Sequence, residues 1–149
     1  MHLSVRPATE DDCKLIFDWA NEPEVRNASF YTEKIEWPKH VSWFLQKLND
    51  PNSLILIFEV DGLNAGQIRF DRNGEYFEID YSIDINYRGK GLGKSIVSLG
   101  ISKINSQFKK TIKILAKVKK GNSISAKVFR NLGFKELNLV NGDYEFKYE

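Results

Sequence analysis

Seven consecutive residues, Arg88-Gly89-Lys90-Gly91-Leu92-Gly93-Lys94, bring three glycines and three cations into one short stretch. Their chemistry is anion binding, because glycine lets a backbone approach an anion with no Cβ in the way. Ahead of the stretch, Phe77, Ile79, Tyr81, Ile83 and Ile85 alternate with Glu78, Asp80, Ser82 and Asp84, the two-residue period of a strand. Behind it, Leu92, Ile96, Leu99 and Ile104, with Val97 and Ile101 beside them, recur at helical spacing. A strand, a glycine turn and a helix in succession point the unpaired N–H groups of the helix's first turn, and the positive end of its dipole, at whatever the turn holds. A P-loop needs Gly-x-x-x-x-Gly-Lys-Ser/Thr and a dinucleotide site Gly-x-Gly-x-x-Gly; glycines at 89, 91 and 93 satisfy neither spacing. A different phosphate ligand and a plain strand-to-helix turn both remain open at this point.

Further along, residues 113–118 read as another strand, and Asn122 to Phe134 as a helix capped by Asn122 and closed by Gly133. Arg88-x-x-Gly91-x-Gly93 resembles Arg/Gln-x-x-Gly-x-Gly/Ala, the acetyl-CoA pyrophosphate loop of the GNAT superfamily of N-acetyltransferases. Asn122, Ser125, Phe129, Gly133 and Phe134 fall in register with the superfamily's Asn-x-x-Ala/Ser-x-x-x-Tyr/Phe-x-x-x-Gly-Phe segment. The resemblance implies an α/β (α+β mixed) GNAT fold: a central mixed, mostly antiparallel sheet, splayed between its fourth and fifth strands and flanked by helices. It implies acetyl-CoA as co-substrate and no metal. Ile83 would hold the pantetheine arm, the turn Arg88, Gly89, Lys90, Gly91, Leu92, Gly93 and Lys94 the pyrophosphate, and Asn122, Ser125 and Phe129 would also bind the cofactor. A Cβ at Gly91 or Gly93 would enter the pyrophosphate's space.

In such a reaction the amine attacks the thioester directly, with the carbonyl polarised by a strand N–H. A base must take the amine's proton. Glu78 and Asp80 are the candidates, and solvated or ion-paired strand residues are the equally weighted alternative. The superfamily's tyrosine that protonates the leaving thiolate falls on Phe129, which leaves the acid unassigned. A thiol pKa of about 8.5 makes the thiolate a tolerable leaving group without one.

The front of the chain concerns the acceptor. The stretches 18–26 and 35–44, with Trp19, Asn21, Arg26, Trp37, His40 and Trp43, look like the amino-sugar branch of the superfamily, which acetylates nucleotide-linked 4-amino sugars of the pseudaminic acid type. Asn21, Arg26, Trp37 and His40 are the candidate acceptor residues; aromatic faces suit a sugar or base and Arg26 a phosphate. The bland alternative is that the tryptophans are core and His40 a bonded structural histidine. Protein or peptide N-terminal amines, small antibiotic or polyamine amines, and a non-catalytic acyl-CoA-binding module are the other functional readings.

The elements that would position these residues are those of one domain, residues 1–149. Charged residues are 28% and apolar residues 42% of the chain, ordinary for a soluble protein. With no secretion signal in view, a cytoplasmic location is the default expectation. The one cysteine, Cys13, shares a helical stripe with Ile16, Phe17 and Ala20 and reads as a core residue before a nucleophile. A net charge of +2 is too slight to argue for nucleic acid, and neither nucleic acid nor membrane is expected as a partner. The partner is a small-molecule amine, with a homodimer left open. Nine lysines and arginines from Lys109 to Lys135 fit a solvated face or a site for the 3′-phosphate of CoA.

In order, the pattern predicts a strand at 3–6, a helix from Thr9 to about Asn21, a loop at 21–31 broken by Pro23, and a helix from Glu36 to Asn49. Strands follow at 53–60, 63–71 and 75–84, turning at Asp61-Gly62 and Asn73-Gly74. The helix after the glycine turn then crosses to a parallel strand at 111–118. A final hairpin, Phe134 to Val140 and Tyr144 to Tyr148, turns at Asn141-Gly142.

Overall fold

A computed structural model of the protein describes residues 1–139 and 141–149. Its seven strands form one sheet in the order β1-β2-β3-β4-β5-β7-β6, where β1 is Leu3–Pro7, β2 Ser53–Val60, β3 Leu63–Asn73, β4 Tyr76–Ile83, β5 Lys113–Val118, β6 Lys135–Asn138 and β7 Tyr144–Tyr148. All neighbours are antiparallel except β4 and β5. Their connection is a helix, α4 (Leu92–Phe108), as a parallel pair requires. Expected and observed strands agree to within about two residues, apart from the last hairpin, where Val140 lies outside the described residues.

Both faces of the sheet are covered, which is why β2 is apolar without alternation. Leu56 and Phe58 join α4 and α5 (Ser123–Asn131) in the larger core. Ile55 and Ile57 join Ile16, Trp19 and Phe44 in a smaller one, beneath α1 (Cys13–Ala20) and α3 (Trp37–Leu48). α4 lies hard on β3: a Cβ at Gly100 would sit 2.7 Å from Ile68 Cδ1. On the other face, His40 is 2% exposed and its Nε2–H donates to the Cys13 carbonyl at 2.9 Å, tying α3 to α1. Asp12 accepts from both Arg6 terminal nitrogens (2.9 and 3.0 Å) and from the Thr9 N–H (2.8 Å), which fixes the entry to α1.

Three expectations need correction. The segment 21–31 is not all loop: Pro23–Ala28 is a helix, α2. Proline interrupts a helix interior but suits the first position, where no N–H partner is needed, and the Glu22 carboxylate accepts from Val25 N–H at 3.3 Å. The β3–β4 turn lies one residue late. Asn73 still pairs with Tyr76, so the loop is Gly74-Glu75, with the left-handed φ of 65° on Gly74 alone. Ile85 has left the strand for a short 3₁₀ turn and is 57% exposed.

The feature that makes the site is the β4–β5 ladder. It has three rungs, Tyr76–Lys113, Phe77–Ile114 and Glu78–Leu115. Beyond them the strands have no ladder with each other, so the residues from Ile79 to Ile83 and from Ala116 to Val118 face a gap. This is the splay expected between the fourth and fifth strands.

Candidate active site

The gap opens into a cleft of about 1270 Å³ that runs between the two helical layers. One end is built from backbone. Gly91, the N-cap of α4, is left-handed at φ 72°, ψ 21°, and no side chain caps the helix. The start of this 17-residue helix, Gly91 to Lys94, lines the cleft, at the end where a helix carries unpartnered N–H groups and the positive pole of its dipole. Nothing lies within 4 Å of where Cβ atoms on Gly89 or Gly91 would be. Gly93 differs: a Cβ there would meet Val128 Cγ2 at 3.0 Å, so this glycine serves the close approach of α5 rather than the ligand's space. Leu92, Gly93, Lys94, Ile83, Asn122, Ser125 and Phe129 line the same end. Asn122 Oδ1 accepts from Ser125 N–H at 3.3 Å and caps α5 as expected. Open glycines, a helix start with no side-chain cap and two strand edges without a mutual ladder make up this end of the cleft.

Arg88 behaves otherwise than a phosphate ligand would. Its Nε donates to the Ile83 carbonyl (2.9 Å), Nη2 to Glu22 (2.7 Å) and Nη1 to Glu24 (3.0 Å). The bond to Arg88, stronger than the effect of burial, holds the Glu22 carboxyl below its ordinary value. The side chain straps α2 to the glycine turn and to the end of β4. Lys90 stands outside the cleft lining, its ammonium 5.5 Å over the Tyr87 ring.

The other end is built from paired side chains. Asp80 faces it, accepting from Gln67 Nε2 at 3.1 Å, with Arg69 Nη1 3.9 Å away. Arg69 also donates to Asp71 (2.7 Å), and its guanidinium lies 5.0 Å over the Trp43 ring. Glu78 is two residues earlier on the same strand face, where the β4–β5 ladder is still closed. It pairs with Lys117 at 3.1 Å and does not line the cleft. Of the two candidate bases, only Asp80 reaches the cavity.

The candidate acceptor residues divide likewise. Arg26 lines the cleft, but its guanidinium donates to the carbonyls of Ala20 (2.6 Å) and Tyr31 (2.7 Å), holding the loop after α2. Burial lowers its pKa. His40 lines the cleft from within the aromatic layer, and burial pushes its imidazole down, so it is neutral at neutral pH. Asn21 bonds both N–H and C=O of Ile35 (2.7 and 2.9 Å) and lies outside the lining. Trp37 packs edge-on against Phe17 at 5.0 Å, is 42% exposed, and is neither core nor cleft wall.

Sequence reasoning missed Gln67, Arg69 and Gly66. The first two carried a signal, a polar alternation along β3 opposite Asp80. Gly66 carried none: a Cβ there would lie 2.5 Å from the Ser82 carbonyl oxygen, so its absence lets β3 press β4 into position beside the gap.

The comparisons with known proteins agree with this fold. A domain of Methanocaldococcus jannaschii has a solved structure that matches with a TM-score of 0.83, at 22% identity, over 99% of this chain and 97% of that one. Spermidine N-acetyltransferase from Vibrio cholerae, solved with CoA and spermine, matches at a TM-score of 0.84 and 17% identity, over 99% and 94%. Aminoglycoside acetyltransferase AAC(6′)-Ib, solved with coenzyme A, matches at 0.80 and 16%, over 99% and 94%. In sequence, an uncharacterised protein of Methanocaldococcus jannaschii is 29% identical over 90% of this chain, which spans only 28% of that protein's length. The model of the acetyltransferase (GNAT) domain matches residues 2–135, and the chain belongs to that family.

Proposed function

We propose that the chain transfers the acetyl group of acetyl-CoA to the primary amine of a nucleotide-linked 4-amino sugar, by direct attack on the thioester. The observation that carries the acceptor class is the charge of the cleft. Among the described residues, nine lysines and arginines line it against three carboxylates, Glu24, Glu36 and Asp80; Arg69, Arg88 and Lys117 are already paired with carboxylates, which leaves Arg26, Lys34, Lys39, Lys94, Lys119 and Lys127 as the cations that set its field. Two unit charges about 4 Å apart interact by about 1 kcal/mol in bulk water and about 4 kcal/mol near a protein surface. A polyamine or an aminoglycoside, cationic throughout, meets a repulsive field here. An amine that carries phosphates meets an attractive one, with Asp80, the lining carboxylate on the strand beside the gap, available for its nitrogen.

In this reading the first-turn N–H groups of α4 hold the pyrophosphate, and the unpaired edge of β4 holds the pantetheine and polarises the acetyl carbonyl. Asp80, kept in place by Gln67 and Arg69, takes the proton of the attacking amine. Thiol release from acetyl-CoA, measured with a nucleoside-diphosphate 4-amino sugar, spermine, kanamycin and a peptide with a free N-terminus, tests the proposal. Turnover is expected with the sugar nucleotide above all others. Highest turnover with the peptide would put protein amines in its place, and no acetyl-CoA binding or turnover at all would remove the catalytic reading.

A further inference from the structure

The position at which a tyrosine would donate to the leaving sulfur is Phe129, 3% exposed and enclosed by Tyr81, Phe134 and Phe146. A phenol nevertheless reaches the same helix from the opposite wall. Tyr81 stands on the stretch of β4 that has no ladder with β5. Its ring lies edge-on to Phe129 with centroids 5.9 Å apart, and its hydroxyl is 3.2 Å from Ser125 Oγ, one turn before Phe129. The hydroxyl is also 3.5 Å from the place of a Cβ on Gly93, at the start of α4. Tyr81, Ser125 and Phe129 all line the cleft. Two other tyrosines line it, but Tyr31 is 56% exposed with its hydroxyl toward Glu33, and Tyr87 lies beyond the end of β4 beneath Lys90.

Neighbouring residues of a strand point to opposite faces. Asp80 turns toward Gln67 and Arg69, and Tyr81 toward α4 and α5. One dipeptide of β4 thus offers a proton acceptor on the acceptor's side of the sheet gap and a proton donor on the other.

We propose that Tyr81 is the general acid of the reaction, in the role that Phe129 lacks the hydroxyl to perform; this rests on the acetyl-transfer reading above. The amine nitrogen bonds to the acyl carbon and the C–S bond breaks with its electron pair going to sulfur. The Tyr81 phenol gives its proton to that sulfur, which yields the free CoA thiol. Ser125 Oγ–H donates to the phenolate left behind. The proton that Asp80 took from the amine returns to Tyr81 through water, so the protein ends as it began. Burial holds the phenol above its ordinary value, which keeps it protonated and able to donate at neutral pH.

The test uses Tyr81→Phe and a full-length chain with 3-fluorotyrosine at position 81. Tyr81→Phe keeps the ring and its packing, and is expected to lower kcat for thiol release by about 100-fold or more, with the acetyl-CoA KM within about twofold. The fluorine resonance of the second protein is expected to move on saturation with CoA and to stay in place with desulfo-CoA, since only the sulfur meets the hydroxyl. Wild-type turnover with Tyr81→Phe within about threefold of it would overturn this inference and leave the acetyl-transfer reading intact. Equal fluorine shifts with CoA and desulfo-CoA would overturn it even if Tyr81→Phe were too unstable to assay. A wild type that neither binds nor turns over acetyl-CoA would overturn both.

Discussion

The two ends of the cleft are built from different materials. At the glycine turn the protein offers backbone: open N–H groups at the start of α4, a left-handed Gly91, and strand edges without a ladder partner. At the acceptor end it offers side chains that already hold one another. Arg26 is bonded to carbonyls, Arg69 to Asp71, and Asp80 to Gln67. A backbone site keeps its chemistry through most changes of neighbouring side chains, because every residue except proline carries the same N–H. A side-chain site owes its specificity to pairings, and one substitution can change what it accepts.

The contrast breaks first at Gly91. A valine there must adopt φ near 72°, a region closed to β-branched residues, and its Cβ enters the open space of the turn. Acetyl-CoA affinity should fall by at least about 100-fold in calorimetric titration, or about 2.7 kcal/mol. Gly93→Val should also lose binding, but with a lowered melting temperature, because its Cβ collides with Val128.

At the acceptor end the largest effect is expected from Asp80→Asn, which keeps the contact to Gln67 in shape but cannot take a proton. The acceptor kcat/KM should fall by about 100-fold or more, while acetyl-CoA affinity measured by calorimetry stays within about twofold. Equal losses in both quantities would show that the two ends are not separate.

The strap between them gives a smaller effect with a pH signature. Arg88→Met removes the bonds to Glu22, Glu24 and the Ile83 carbonyl, and should cost about 1–3 kcal/mol of stability at neutral pH. The folded-state pKa of Glu22 is depressed, so its contribution is present above the unfolded carboxyl value of about 4.3 and is lost as pH falls through the folded value. Denaturant melts of wild type and variant should therefore differ most near neutrality and converge in acid. The smallest effect belongs to Phe129→Tyr. With Tyr81 already in the donor role, kcat and its pH profile should not change by more than about twofold.

How far the site could be read from sequence follows the same division. The glycine turn, the Asn122 cap and the alternation of β4 are local patterns; the antiparallel meander and the parallel crossover follow from such patterns, whereas the splay is legible only through the resemblance to the superfamily. The partners of Arg88 lie 64 and 66 residues away at Glu24 and Glu22, and no spacing rule connects them. Glu78 and Asp80 share a strand face and were indistinguishable by parity; what separates them is that the ladder with β5 ends between them. Trp37 and Asn21 had the right chemistry for a sugar, but one packs on Phe17 and the other ties down Ile35. Pro23 reads as a break in the sequence because its position within a helix depends on where that helix begins, and here it begins at Pro23 itself.

The central claim is that a basic cleft selects an anionic amine, and the most direct measurement compares one amine with and without its phosphates. Steady-state acetyl transfer from acetyl-CoA should be followed to a free 4-amino sugar and to the same sugar linked to a nucleoside diphosphate, at low and at high salt. The account predicts kcat/KM at least about 100-fold higher for the nucleotide-linked sugar at low salt, with the advantage shrinking as salt screens the cleft. Equal kcat/KM for the two, or a preference for the free sugar that salt does not alter, would contradict it.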